Sequence, residues 1–193
     1  MRAFLAIPAD PAWADAGRTF VEKLRATSPR ASWTRPESWH LTIRFLGEIS
    51  DANAASFADG LEERRVGAVP AAELRSAGPV AFPSRSRPRV LGIALSTPAS
   101  LETLWRAAGE AARRIGLPPV HRSFHPHLTL ARVRDPWPRP AVDVFWAEVE
   151  GWSLPPWRFA SCVLFSSRLD PAGAVHTPAR TWELTAAGQE VGT

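Results

Sequence analysis

The chain has 193 residues, 45% of them hydrophobic and 22% charged, with a formal net charge of +4 and a single cysteine. That length supports one sizeable core or two small lobes sharing an interface, and no apolar run approaches the roughly 20 residues that cross a bilayer. Cys162 alone excludes an intrachain disulfide and reads as a small buried hydrophobe, while the basic balance permits an anionic partner such as RNA without requiring one.

Residues 2–8 read as a first strand rather than a signal peptide, because Asp10 and Pro11 interrupt the apolar run too early; a cytoplasmic location is expected on that basis. Asp10 followed by Pro11 marks a helix start, Trp13, Phe20, Val21 and Leu24 recur at helical spacing, and Ser28-Pro29 ends the element. A short strand at 31–33 leads through Arg35-Pro36-Glu37 to a longer one that Gly47 terminates. Ser50 or Asp51 caps a second helix running to about Val66, with Phe57 and Leu61 on its buried side. Residues 72–82 and 89–95 read as strands joined by an exposed loop. Thr97-Pro98 opens a third helix whose stripe of Leu101, Leu104, Trp105, Ala108, Ala112 and Ile115 is stopped by Gly116. After Pro118-Pro119 comes another strand, then the turn-rich 135–140 segment and three strand candidates at 143–153, 158–167 and 176–184, the last two joined by a turn at 168–173; the tail beyond Leu184 is expected to fray.

The informative feature is a repeat. His40-Leu41-Thr42-Ile43 returns about half a chain length later as His127-Leu128-Thr129-Leu130, each copy inside an apolar, strand-like run. One such tetrapeptide carries no weight, since the pattern fixes only two residues, but two copies at this separation point to an internal duplication. In a strand, side chains alternate faces, so each copy presents a His/Thr pair on one face and two aliphatic residues to a core on the other. A pseudo-twofold arrangement brings the two pairs together. The expected fold is therefore α+β and bilobal: a single domain over residues 1–193, with two antiparallel β-sheets related by a pseudo-twofold duplication around a central cleft and helices on the outer faces.

Two facing histidines suit acid–base chemistry at a phosphodiester. A neutral imidazole takes a proton from water as that water attacks phosphorus, and an imidazolium protonates the departing ribose oxygen. Threonine hydroxyls on the same face donate to the non-bridging oxygens, where charge grows in the transition state. No metal or other cofactor is expected.

The runs His40-Leu41-Thr42-Ile43-Arg44-Phe45-Leu46-Gly47 and Phe124-His125-Pro126-His127-Leu128-Thr129-Leu130-Ala131-Arg132 resemble the 2H phosphoesterase superfamily, in particular the bacterial and archaeal RNA 2',3'-cyclic phosphodiesterases once called 2'-5' RNA ligases. Weaker matches at residues 2–7, 88–91, 165–167 and 182–184 extend the resemblance over nearly the whole chain. It implies hydrolysis of a terminal 2',3'-cyclic phosphate on RNA to a 2'-phosphate, with His40 as proton donor, His127 as the base that activates water, and Thr42 and Thr129 holding phosphate. Arg132 resembles the family's phosphate-binding arginine; strict alternation points it away from His127, so a bulge or strand end has to redirect it. Reverse 2'-5' ligation is the other direction of the same chemistry. Phosphodiesterase action on a small cyclic nucleotide or ADP-ribose cyclic phosphate, and a non-catalytic RNA-binding module, are the alternatives.

Two residues depart from the resemblance. His176 stands where a tyrosine is common, in a chain with no tyrosine, and Trp39 where a leucine is common; both are expected to affect the nucleotide pocket and not the chemistry. Arg44 shares the His/Thr face by parity and is a candidate RNA contact, with Arg35 and Arg122 as weaker ones. Trp39 and Phe124 are candidates for base stacking or ordinary packing. His125 forms a His-x-His pair with His127, near His121, but Pro126 and the lack of acidic ligands argue against a metal there. The expected partner is an RNA or oligonucleotide with a 2',3'-cyclic phosphate end, bound by a monomer.

Overall fold

The computed structural model describes residues 1–119, 123–170 and 173–186. In chain order these form β1 (Arg2–Pro8), α1 (Pro11–Thr27), β2 (Ser32–Trp33), β3 (His40–Glu48), α2 (Asp51–Glu63), β4 (Ala72–Leu74), β5 (Ser76–Phe82), β6 (Val90–Leu95), α3 (Ala99–Arg114), β7 (His127–Arg132), α4 (Arg139–Glu150), β8 (Trp157–Phe159), β9 (Ser161–Asp170) and β10 (Gly173–Glu183). Short 3₁₀ turns occupy Pro36–Ser38 and Val66–Ala68.

The helix boundaries follow local chemistry. The Asp10 carboxylate accepts from the Ala12 amide at 2.9 Å with Pro11 next in line, and the Ser50 hydroxyl accepts from the Asn53 amide at 3.1 Å. Helix α3 starts at Ala99, with Pro98 rather than Thr97 as its cap. One expected strand is a helix: residues 139–150 form α4. Val142, Phe145 and Val149 recur three and four apart and form its buried stripe, so period 3.6 overrides the strand preference of the valines and aromatics. The expected strand over 72–82 is two, because the chain breaks at Arg75, whose amide donates to the Ser96 hydroxyl instead of continuing a ladder.

All strand pairs are antiparallel. The large sheet runs β10-β9-β1-β3-β7-β6-β5, with β2 also on β7, and β4 and β8 form a separate two-stranded sheet. The large sheet consists of two half-sheets, β10-β9-β1-β3 and β7-β6-β5, which meet at the two motif strands. The first half-sheet is completed by the end of the chain, since β9 and β10 lie beyond both motifs. All four helices bury side chains in one cluster with Leu41, Ile43, Leu128 and Leu130, so the aliphatic face of the motif strands looks into the core. Cys162 is fully buried, which pushes its thiol up to about 12.

Candidate active site

Strands β3 and β7 are joined by a single registered pair, Leu41 opposite Leu128. In an antiparallel ladder that register sets His40 across from Thr129 and His127 across from Thr42. Each histidine therefore has as its cross-strand neighbour the threonine of the other motif. The four side chains are half-buried on one face, while Leu41 and Leu128 are fully buried on the other.

Both strands then break their alternation at the same place. On β3, Thr42 pairs with Ala6 and Arg44 with Leu5, so Ile43 is an extra residue; on β7, Thr129 pairs with Gly92 and Ala131 with Leu91, so Leu130 is extra. These are β-bulges at the fourth residue of each motif. Each shifts the parity of the residues beyond it, and Arg132 therefore reaches the histidine face, where its charge acts on both His40 and His127. The bulge expected from sequence for Arg132 is present.

The same device removes Arg44. Parity placed it beside His40, but the bulge at Ile43 turns it to the helix side, where it is 7% exposed and its Nη2 donates to the Pro118 carbonyl at 2.7 Å. Phe45 takes the open-face position instead and is 62% exposed. Of the two roles open to Trp39, stacking or packing, it takes the second: 3% exposed, its ring fills the space over Gly17, where a Cβ would lie 2.1 Å from it, and its Nε1 donates to the Thr34 carbonyl at 3.3 Å. Neither side chain is available to RNA on the histidine face. Phe124 is half-buried and stacked on Trp105, with ring centroids 5.4 Å apart. His121 and Arg122 lie outside the described residues.

The two histidines have matching surroundings. The Nδ1 of His40 bonds the Ser38 carbonyl at 2.8 Å, and the Nδ1 of His127 bonds the His125 carbonyl at 2.8 Å. A carbonyl only accepts, so each neutral ring carries its proton on Nδ1 and presents the Nε2 lone pair outward. Each ring also packs on a phenylalanine, Phe4 at 4.9 Å from His40 and Phe82 at 4.7 Å from His127. Burial pushes His40 down to about 4, with the His176, Arg132 and His127 charges acting in the same direction and the Ser38 carbonyl against it. Burial is also the main cause holding His127 below its ordinary value.

His176 is the residue that sequence reasoning misjudged. On β10, its ring meets His40 edge-on at 5.3 Å and Phe4 at 4.9 Å, and its buried Nδ1 has no hydrogen-bond partner among the described residues. It adjoins a candidate catalytic ring and lowers that ring's pKa, so its reach extends beyond the nucleotide pocket. The departure from tyrosine was the signal; the β10-β9-β1-β3 strand order that brings it to His40 could not be read locally. A concavity of about 530 Å³ lies between α1 and α4, spanned by the Lys23–Glu148 ion pair at 2.6 Å and lined by none of the histidines.

Paired neutral imidazoles, threonine hydroxyls and an arginine on one sheet face define a site suited to phosphoryl chemistry by proton transfer. The class is that of a duplicated α+β phosphoesterase. The LigT like phosphoesterase family matches this chain twice, over residues 7–92 and 93–176, once for each motif-bearing half, and the chain belongs to that family. A protein of Methanothermobacter thermautotrophicus named RNA 2',3'-cyclic phosphodiesterase is 25% identical over 184 residues, covering 95% of this chain and 99% of its own. One of the same name from Thermus thermophilus is 33% identical over 170 residues, covering 81% and 78%. Among solved structures, TT0787 of Thermus thermophilus superposes with a TM-score of 0.73 at 23% identity over 97% of this chain and 100% of that one, and E. coli LigT in its apo form gives 0.66 at 22% identity over 95% and 97%. These likenesses support the fold.

Proposed function

We propose that this phosphoesterase is an RNA 2',3'-cyclic phosphodiesterase that opens a terminal 2',3'-cyclic phosphate to a 2'-phosphomonoester. The observation that carries the reading is the matched pair of Nε2 lone pairs, each fixed by an Nδ1–carbonyl bond, on adjacent antiparallel strands of one face. The names of the relatives from Methanothermobacter thermautotrophicus and Thermus thermophilus support the substrate.

In the proposed step, His127 Nε2 takes a proton from water as the water oxygen bonds to phosphorus. The bond from phosphorus to the 3' oxygen breaks, and His40, protonated at Nε2, delivers its proton there. The products are a 2'-phosphate and a free 3'-hydroxyl, and one proton has moved between the two rings. Thr42, Thr129 and Arg132 hold the non-bridging oxygens, so developing charge meets donors already in place. Burial alone favours neutral His40; a phosphodiester anion beside the ring favours its imidazolium, with the proton drawn from solvent. With a 5'-hydroxyl in place of water, the same step joins two ends through a 2'-5' phosphodiester and frees the 3'-hydroxyl, and cleavage of that linkage back to the cyclic phosphate is its reverse.

The test is incubation in EDTA with an oligonucleotide ending in a 2',3'-cyclic phosphate. A 2'-phosphate product from wild type, lost in His40→Ala and His127→Ala, is expected. A 3'-phosphate product, or activity that disappears with EDTA, contradicts the reading.

A further inference from the structure

Arg44 is a buried cation that the phosphodiesterase reading does not use. Burying a guanidinium costs several kcal/mol unless a countercharge and hydrogen bonds replace its water. Its Nη2 has the Pro118 carbonyl, but among the described residues its buried Nε finds no hydrogen-bond partner and no ion pair reaches the guanidinium. Among the described residues no other group relieves the cost.

The surroundings of this side chain explain what would relieve it. Arg44 lines a cavity of about 240 Å³ along α3, with Trp105, Arg106, Gly109, Glu110 and Arg113 on the wall. Glu110 is the one acid on that wall and is engaged by Arg64 at 2.7 Å. Arg106 is shared with Glu102 at 3.2 Å, so the positive field comes chiefly from Arg44 and Arg113, which no ion pair claims among the described residues. A Cβ at Gly109 would meet nothing within 4 Å, so the helix surface is open there. Trp105 is fixed by stacking on Phe124 and offers a rigid aromatic wall.

We propose that this cavity, on the opposite side of the sheet from the histidines, is a second anion site that takes a small phosphate-bearing molecule, its phosphate on Arg44 and Arg113 and its organic part against Trp105. An arginine fork matches phosphate oxygens, and a donor that is already desolvated and held in place binds with little reorganisation. The volume is several times the roughly 30 Å³ share of one water, which leaves room for a phosphate and a compact organic group. The site shares strand β3 with His40, and Pro118 belongs to the segment leading to the second motif.

The proposal is tested by ¹⁵N NMR of the Trp105 indole and Arg44 Nε–H signals during titration with inorganic phosphate, with AMP, and with sodium chloride at matched ionic strength. The doubly substituted His40→Ala/His127→Ala protein is titrated in parallel, to separate this site from the catalytic face. A saturating shift at both signals is expected in both proteins, weakened about tenfold or more by Arg106→Gln/Arg113→Gln, two exposed positions whose change leaves the fold intact. Equal affinity for phosphate and AMP assigns the site to the phosphate group alone, and tighter AMP adds contact with Trp105; each supports the proposal. No saturating shift at about 10 mM, an equal response to chloride, or indifference to the arginine substitutions overturns it.

Discussion

Leu41 lies directly opposite Leu128, and this one pair joins the two halves of the sheet beneath the candidate active site. Both side chains are fully buried, one residue away from a histidine on each strand. Leu41→Ala and Leu128→Ala each remove core packing and are expected to cost about 2–5 kcal/mol. They also loosen the seam that sets the distance between the rings, so kcat should fall even where the variant is fully folded. Urea unfolding paired with turnover of the folded fraction checks this; full kcat in a destabilised but folded variant contradicts the role of the seam.

Arg132 depresses both histidines from their own face of the sheet. Arg132→Met should raise KM, and it should move the acid limb of the kcat/KM profile to higher pH, because a positive neighbour that disfavoured both imidazoliums has gone. An unchanged profile would place Arg132 outside the electrostatic reach of the rings.

His176 opposes protonation of His40, although burial is the larger cause. His176→Phe keeps the aromatic contact and removes the charge and the unpartnered Nδ1. The His40 pKa, followed by NMR, should rise part of the way toward 6.5, with little loss of stability. No rise means that the His176 charge is not felt at His40.

The depressed histidines also set a stability trend. His40 has a folded pKa of about 4, below its ordinary 6.5, so between those values the unfolded chain binds the extra proton. Stability from this source is complete above about pH 6.5 and declines as pH falls toward 4; His127 and His176 act with the same sign. The His40 share is on the order of 2–3 kcal/mol. Urea unfolding at about pH 7 and about pH 4.5 should show a smaller difference for His40→Gln than for wild type, and an equal difference would contradict the burial of this ring.

Gly92 pairs with Thr129 beside the β7 bulge, and a Cβ there would sit 2.2 Å from the Leu128 carbonyl oxygen. Backbone cannot yield as a flexible side chain does, so Gly92→Ala should cost about 1–3 kcal/mol or shift the bulge and with it Arg132. Denaturant unfolding and KM together read this; a neutral variant would show that the bulge is not rigid.

The parts of the site readable in the sequence were those governed by local rules. The repeated His-x-Thr strands, the Asp10 and Ser50 caps and the aliphatic face all come from alternation and capping. Arg44 was misplaced because alternation assumes a regular ladder, and the bulge depends on the partner strand as much as on Ile43. Recognising that Arg132 needed a bulge carried the answer for Arg44 too, since both stand just beyond a motif and the motifs are related by symmetry. The strand expected at 143–153 is most of helix α4 because valine and aromatic content favours strands while the spacing of Val142, Phe145 and Val149 favours a helix. The contacts of His176 depend on which strand borders which, a property of the assembled sheet.

In the proposed mechanism His40 and His127 act as one unit on one phosphorus. The most direct measurement is single-turnover cleavage of a cyclic-phosphate-terminated oligonucleotide by His40→Ala, His127→Ala and the double variant. Each single change is expected to cost about 10²–10⁴-fold, and the double variant to be little slower than the slower single one, as for residues that work together. Losses that multiply in the double variant, or a single variant near wild-type rate, would contradict the two-histidine mechanism.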